Sequence, residues 1–362
     1  MAAVYIVAEA GVNHNGDRDM AFRLVDAAAE AGADCVKFQT FDAARLASKS
    51  APKAAYQQRT TDAAENQLAM LKNLELPRAW HGELKARAAS NGMAFMSTAF
   101  DVDSLDFLIE LGVPQIKVPS GELTNAPLVW RYARARLPLI VSTGMATVSE
   151  VEQALAVITH AYNCDSEPAS VEEIWRAWSR ADWRAQLDER VTLLHCTSQY
   201  PAPLAEINLS AMDTLAAAFG LDVGYSDHSD GLLMPVAAVA RGATLIEKHF
   251  TLDRTLAGPD HAASIEPCDL IRMVADIRAV EEALGDGAKV PQPSEWNTRI
   301  AARQQLIASR DIAPGAVIAR DDLGTARCGH GLPPIALWSL VGTVSARGYA
   351  AGDVIEGQVG LG

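Results

Sequence analysis

Two lysines and two histidines, set at the ends of short apolar runs, define what chemistry this sequence could do. Lys37 lies within CVKFQT and Lys117 within IKVPSGE. An ammonium in an apolar run is strongly disfavoured on burial unless it is paired, depressed in pKa or met by an anion. Three readings stay open for these lysines: a buried ion pair with Glu9 or Glu122, binding of phosphate and carboxylate groups, or Schiff-base chemistry. Ser120 and Gly121, directly after Lys117, add a hydroxyl and a backbone N–H that suit a phosphate. His228, in GYSDHS, and His249, in EKHFTLD, follow two later runs. Neutral imidazoles on neighbouring strands can share one divalent cation with waters or substrate oxygens. With two protein ligands such a site is open, so the metal would polarise a substrate oxygen rather than hold the fold together. The alternative is that both histidines hydrogen-bond substrate or backbone directly.

Bringing these distant segments together needs a closed scaffold, and the hydrophobic pattern provides one. Short β-rich runs alternate with helical stretches, the pattern of βα units and a parallel sheet. The predicted strands run from Val4 to Ala8, Cys35 to Phe38, Ala94 to Met96, Gln115 to Val118, Leu139 to Val141, Val191 to Leu194, Asp222 to Gly224 and Thr244 to Ile246. This predicts the α/β class and a TIM-type (β/α)8 barrel, in which polar residues at the carboxyl ends of the strands share one mouth. Those ends carry Glu9 with Asn13, His14 and Asn15; Lys37 and Gln39; Ser97 and Thr98; Lys117, Ser120 and Glu122; and Ser142 and Thr143. The last three ends add His195, Thr197, Ser198 and Tyr200, then Ser226, Asp227 and His228, then Glu247, Lys248 and His249.

Between the runs, Asp17 can cap a helix that places Met20, Leu24, Ala27 and Ala31 on one face. Gly32, Gly112 and Gly242 are placed to supply left-handed caps leading into the next strand. Two stretches break the rhythm. Residues Ala44 to Leu76 form a long insertion, read as a lid or a dimer element. Residues Ala161 to Arg190 hold Trp175, Trp178 and Trp183 in a charged setting, read as a helical insertion whose tryptophans cover a neighbouring surface. The barrel is expected over residues 1–285, a linker over 286–299 and a small β-rich domain over 300–362, whose phrases ASRDIAPGAVIARDDL and VSARGYAAGDVIEG suggest pseudo-repeated hairpins.

The 362 residues carry a formal charge of −14, which disfavours partnership with nucleic acid or an anionic membrane. An anionic substrate must then be met by locally concentrated cations. No apolar run approaches the roughly 20 residues of a membrane span, and Glu9 within the amino-terminal run argues against a secretory signal. The five scattered cysteines form no C-x-x-C pair, implying reduced thiols and a cytoplasmic location. No G-x-G-x-x-G follows a strand, and neither a P-loop nor a G-x-S-x-G elbow occurs.

The ordered phrases AEAGVNHNG, VKFQT, MSTAF, IKVPSGE, VSTGM, LHCTSQYPAP, GYSDHS, EKHFTLD, GPDHAASIEP and ARCGHGLPP resemble the sialic acid synthases over nearly the whole chain. That family condenses phosphoenolpyruvate with an N-acetylated sugar aldehyde, and the resemblance implies a C-terminal antifreeze-like (SAF) domain after the barrel. It also implies roles. Lys37, Lys117, Ser120 and Ser142 would hold phosphoenolpyruvate, assisted by Thr98; His228 and His249 would bind manganese or a similar divalent ion. Glu9, Gln39, Tyr200 and Asp260 would position the sugar, Glu122 would transfer a proton, and Arg327 would contact the N-acetyl group in the barrel of the other subunit of a domain-swapped homodimer.

Three departures stand out: Ser198 where some members have Asn, Cys328 after Arg327 where Pro is usual, and the tryptophan-bearing insertion. N-acetylmannosamine is the expected acceptor, giving N-acetylneuraminate. The alternatives are 2,4-diacetamido-6-deoxymannose in a legionaminic acid synthase, a pseudaminic acid synthase, and a Schiff-base aldolase, which borohydride trapping would reveal. A binding protein without turnover is the other class, and a phosphate-release assay separates it from an enzyme.

Overall fold

The computed structural model describes residues 3–48, 53 and 66–357. They fall into two units, split between Gly285 and Asp286. In the first, eight parallel strands form one sheet: β1 (Tyr5–Gly11), β2 (Cys35–Thr40), β3 (Ala94–Ala99), β4 (Ile116–Val118), β5 (Leu139–Ser142), β6 (Val191–Cys196), β7 (Asp222–Asp227) and β8 (Leu245–His249). β1 pairs with both β2 and β8, and the order runs β3-β2-β1-β8-β7-β6-β5-β4 with β3 and β4 in contact, so the sheet wraps into the predicted TIM barrel. Each predicted run is a strand. Most extend two or three residues further at the carboxyl end, because the hydrogen-bond ladder continues after the inward side chains turn polar.

Alternation along the strands builds two apolar layers. Val7, Cys35, Met96, Ile140, Leu194 and Leu245 form a cluster inside the barrel. Their neighbours Ile6, Val36, Phe95, Leu193 and Ile246 belong to the larger core between strands and helices. Two residues beyond each inner apolar residue stands Glu9, Lys37, Thr98, Ser142, Cys196 or Glu247, so the barrel interior changes from oil to charge within one layer.

The covering helices are α1 (Arg18–Glu30), α2 (Arg78–Ser90), α3 (Val102–Leu111), α4 (Ala126–Arg134), α5 (Val148–Asn163), α6 (Ala211–Phe219), α7 (Leu233–Ala240) and α8 (Pro267–Leu284). Asp17 caps α1 as expected, its side chain accepting from the Met20 N–H. Gly32, Gly112 and Gly242 have φ of +77°, +75° and +99°, the left-handed geometry that lets each chain leave its helix for the next strand.

In the insertion before β6, helix Val171–Trp178 packs on α5, and the Trp178 indole N–H donates to Glu152 at 2.9 Å. Arg184 and Arg180 lie over the rings of Trp178 and Trp183. Trp178 thus covers part of the α5 surface, the role expected of the insertion's tryptophans. The earlier insertion contributes helices Ala43–Leu46 and Gln67–Asn73, while residues 49–52 and 54–65 of the segment read as a lid or dimer element lie outside the described residues.

The second unit has its own core, including Leu306, Ile312, Ile318, Leu323 and Ile355. β9 (Gln304–Ala308) and β10 (Leu323–Arg327) pair antiparallel. The two similar phrases form no separate hairpins. They run antiparallel against each other through bridges Ile312 to Tyr349 and Val317 to Val344, since each is too short to bury its own apolar face. Within the expected linker, the short turn Pro293–Glu295, capped by an arrangement between Gln292 and Glu295, leads into helix Trp296–Ala302.

Candidate active site

A cavity of about 320 Å³ opens at the carboxyl ends of the barrel strands, and its floor is the charged layer. Lys37 Nζ lies 2.6 Å from Glu9 Oε2 and 3.5 Å from Glu247, and donates to Thr98 Oγ1 at 3.1 Å. Lys117 Nζ donates to both Glu247 oxygens, at 2.6 and 2.7 Å, and Ser226 Oγ donates to the same carboxylate at 2.9 Å. Both lysines are thus ion-paired and both line the cavity. Glu9, one of the two carboxylates expected to pair with these lysines, meets Lys37, whereas Lys117 pairs with Glu247 from the far side of the barrel.

With Glu9 ionised, the two cations and two carboxylates sum to zero, and an entering anion meets ammoniums already held in place. Burial pushes the Glu9 carboxyl up to about 7, even with Lys37 beside it. Burial would raise Glu247 too, but Lys117 and Lys37 outweigh it and hold the group well below the usual carboxylate range. Lys37 shows the balance from the other side: burial lowers it, yet Glu247 and Glu9 raise it further, keeping it charged. Lys117 moves down, burial being its largest influence.

Beside the lysines lies a shelf of small polar groups. Ser120 Oγ donates to Ser142 Oγ at 3.0 Å and accepts from the Gly144 N–H at 3.0 Å. Cys196 Sγ is 3.3 Å from each serine oxygen. A Cβ on Gly144 would come within 2.3 Å of Ser198 Oγ and 2.8 Å of Ser120 Oγ, so only glycine lets the β5 loop close on this shelf. Hydroxyls and an N–H beside two ammoniums match the oxygens of a phosphate or carboxylate.

His228 and His249 face each other across the mouth, ring centroids 5.6 Å apart. Burial lowers His228 to about 4 and drives His249 well below its ordinary value, so both are neutral at pH 7. His228 Nδ1 lies 2.7 Å from the Thr197 carbonyl, which fixes the N–H there and leaves the Nε2 lone pair facing the Tyr200 hydroxyl at 3.1 Å. His249 Nδ1 is buried without a hydrogen-bond partner. Neutral rings with an aimed lone pair and an unpartnered nitrogen fit a divalent cation. Among the described residues no three His, Cys, Asp or Glu group to hold a metal, so water or substrate oxygens would fill the remaining positions.

Of the residues named from sequence, Glu9, Gln39, Lys37, Thr98, Lys117, Ser120, Ser142, Ser198, Tyr200, His228 and His249 all line this one cavity. Glu122 does not: it lies in the short turn Ser120–Glu122, and its carboxylate accepts from Asn125 Nδ2 at 2.7 Å. The same turn delivers Ser120 to the shelf, while Glu122 stands outside the set of cavity-lining residues. Arg327 is exposed at the end of β10 in the second unit. Glu247, Ser226 and Cys196 are the lining or adjoining groups that the sequence reading assigned no role. The signal for Glu247 was available, since a carboxylate inside LIEKH needs a buried cation as much as Lys37 needs an anion.

Asp260 is buried at the start of the short turn His261–Ala263, outside the set of cavity-lining residues, and burial alone pushes its carboxyl up to about 6. Folding therefore favours the protonated form. Its contribution is full below the unfolded value of 3.8 and is lost as pH rises through about 6. Asp260→Asn, which keeps the shape without the charge, is expected to gain about 3 kcal/mol relative to the wild type between about pH 4 and pH 7. Urea unfolding across that range checks this, and a pH-independent difference contradicts it.

The family model described as NeuB family matches residues 24–289, and that of the SAF domain matches residues 303–358. The chain is 44% identical over 351 residues to the N,N'-diacetyllegionaminic acid synthase of Legionella pneumophila, covering 97% of this chain and 93% of that protein. It is 42% identical over 356 residues to the enzyme of the same name from Campylobacter jejuni, covering 98% and 100%. Among solved structures it is similar to the N-acetylneuraminic acid synthetase of Leptospira borgpetersenii in complex with citrate, at TM-score 0.66 and 34% identity over 82% of this chain and 90% of that one.

Proposed function

The chain belongs to the NeuB family and carries a SAF domain, and from that premise we propose that it is a legionaminic acid synthase. It would condense phosphoenolpyruvate, a 2,4-diacetamido-6-deoxy hexose in its aldehyde form, and water, giving the nine-carbon diacetylated acid and phosphate. The observation that carries the acceptor is the 44% and 42% identity to two N,N'-diacetyllegionaminic acid synthases over nearly their whole lengths, against 34% to an N-acetylneuraminic acid synthetase. This reverses the expectation of N-acetylmannosamine. The phrases LHCTSQYP and GPDHAASIEP favour the sialic and legionaminic branch over the pseudaminic one and do not choose between its two acceptors.

The cavity supports the reaction class. Lys37 and Lys117, with Ser120, Ser142 and the Gly144 N–H, are placed to hold the phosphate and carboxylate of phosphoenolpyruvate. Pre-paired ammoniums cost little reorganisation when an anion arrives. The methylene carbon of phosphoenolpyruvate bonds to the aldehyde carbon, water adds at the carbon bearing the phosphate, and phosphate leaves. Manganese or a similar ion at His228 and His249 would, when bound, supply Lewis-acid polarisation of the aldehyde oxygen. Glu9 and Glu247 are the carboxylates that line the cavity. Glu247 is committed to both lysines, so we assign Glu9 the proton on the new hydroxyl, with Gln39 and Tyr200 orienting the sugar beside it. A homodimer, and a part for Arg327 in holding an acetamido group, rest on the family resemblance, a cytoplasmic location rests on the scattered cysteines, and all three belong to the same proposal. No described helix is long and apolar enough to cross a membrane.

Product mass and phosphate release with a panel of acetamido hexoses, with and without manganese after chelation, test the assignment. The diacetamido-6-deoxy acceptor is expected to give kcat/KM about tenfold or more above N-acetylmannosamine, with turnover lost on chelation and restored by manganese. A preference for N-acetylmannosamine would reject the acceptor. Turnover that resists chelation would reject the metal.

A further inference from the structure

Two charged residues of the histidine-bearing phrases, Asp227 and Lys248, take no part in the cavity. β7 and β8 pair in register at these positions, and both side chains point away from the interior, since Ser226, His228, Glu247 and His249 on either side of them line the cavity. Lys248 Nζ lies 2.6 Å from Asp227 Oδ2, and the two side chains are 1% and 0% exposed. Burying two charges is costly, and their attraction repays the cost only when further hydrogen bonds satisfy what remains of each group.

Those bonds converge on one turn. Asp227 Oδ1 accepts from the Tyr225 hydroxyl and from the Ser229 N–H, at 2.9 Å each. Lys248 Nζ donates to the Ser229 carbonyl at 2.6 Å. The fixed segment is Asp227-His228-Ser229, with His228 at its centre. On its other side His228 anchors the loop that follows β6. Its Nδ1 meets the Thr197 carbonyl at 2.7 Å, its carbonyl accepts from the Ala202 N–H at 2.8 Å, and its Nε2 faces the Tyr200 hydroxyl. An apolar pair would fill the space between strands and helices more cheaply, but could neither donate to nor accept from the Ser229 backbone.

We propose that the Asp227–Lys248 pair is a positioning device that sets the His228 imidazole for a divalent cation and, through it, the loop presenting Ser198 and Tyr200. The inference rests on the reading of His228 and His249 as cation ligands. Partners of this kind behind a metal-binding histidine typically govern 10- to 100-fold in metal affinity.

Manganese titration of chelator-treated protein without substrates, followed by the paramagnetic resonance of the free ion, tests this on the wild type, Asp227→Asn, Tyr225→Phe and His228→Ala. Asn at 227 cannot accept from Lys248 and the Ser229 N–H as a carboxylate does, so affinity is expected to fall about 10- to 100-fold. Tyr225→Phe removes one bond, keeps the ion pair and the core volume, and should show a smaller loss in the same direction. In turnover, kcat for Asp227→Asn should fall while KM for phosphoenolpyruvate stays within about twofold. Wild-type manganese affinity in folded Asp227→Asn, or in Tyr225→Phe should Asp227→Asn not fold, overturns the proposal. So does a loss of stability at unchanged affinity, which would make the pair merely structural. No manganese uptake by the wild type would overturn the cation reading and this proposal with it, whereas uptake lost in His228→Ala but kept in Asp227→Asn overturns the proposal alone.

Discussion

In a Lys117→Met variant, kcat/KM for phosphoenolpyruvate should fall between about 30-fold and several thousand-fold, because a buried cation that meets a substrate anion is worth about 2–5 kcal/mol on truncation. Methionine matches the length and volume of the lysine stem, so no void opens in the floor. Glu247 is not left alone, since Lys37 lies 3.5 Å from it and Ser226 Oγ donates to it at 2.9 Å. The loss then reports on substrate and transition-state binding more than on folding. Steady-state phosphate release across phosphoenolpyruvate concentrations measures it, with circular dichroism confirming the fold. A change under about threefold would remove Lys117 from the proposed anion site.

Much of that site is legible in the chain itself. Five of the eight strands show an inward apolar residue followed two places later by a polar one: Val7 and Glu9, Cys35 and Lys37, Met96 and Thr98, Ile140 and Ser142, Leu245 and Glu247. Period-two alternation fixes which side chains share the interior, and the carboxyl-end rule of the barrel fixes which end is polar. Partnership across the barrel is another matter. That Lys117 of β4 reaches Glu247 of β8 depends on strand tilt, stagger and side-chain length, none of which a linear pattern records. Nor does a linear pattern record that Asn125, three residues on, donates to the Glu122 carboxylate.

Glu247→Gln is where the charge layer declares its cost, with an expected loss of about 3–5 kcal/mol in unfolding free energy at pH 7. The carboxylate takes two short bonds from Lys117 and one from Ser226, and stands 3.5 Å from Lys37. Glutamine offers one oxygen in place of two and turns an N–H₂ toward an ammonium, so two buried cations are left sharing Glu9. In the wild type Glu247 is held below its unfolded value, so its contribution is present above about pH 4 and is lost as pH falls further. The gap between wild type and variant should therefore close only in acid. The double variant Lys117→Met, Glu247→Gln removes a cation together with the anion, and by the same logic should be more stable than Glu247→Gln alone, with a coupling of about 2 kcal/mol or more in the four-way cycle. Urea unfolding of the four proteins at pH 7 and in acid measures both quantities. A single variant within about 1 kcal/mol of the wild type, or a double variant no better than the single, would mean that water rather than Glu247 balances Lys117, and the pre-paired floor proposed for anion capture would lose its physical basis.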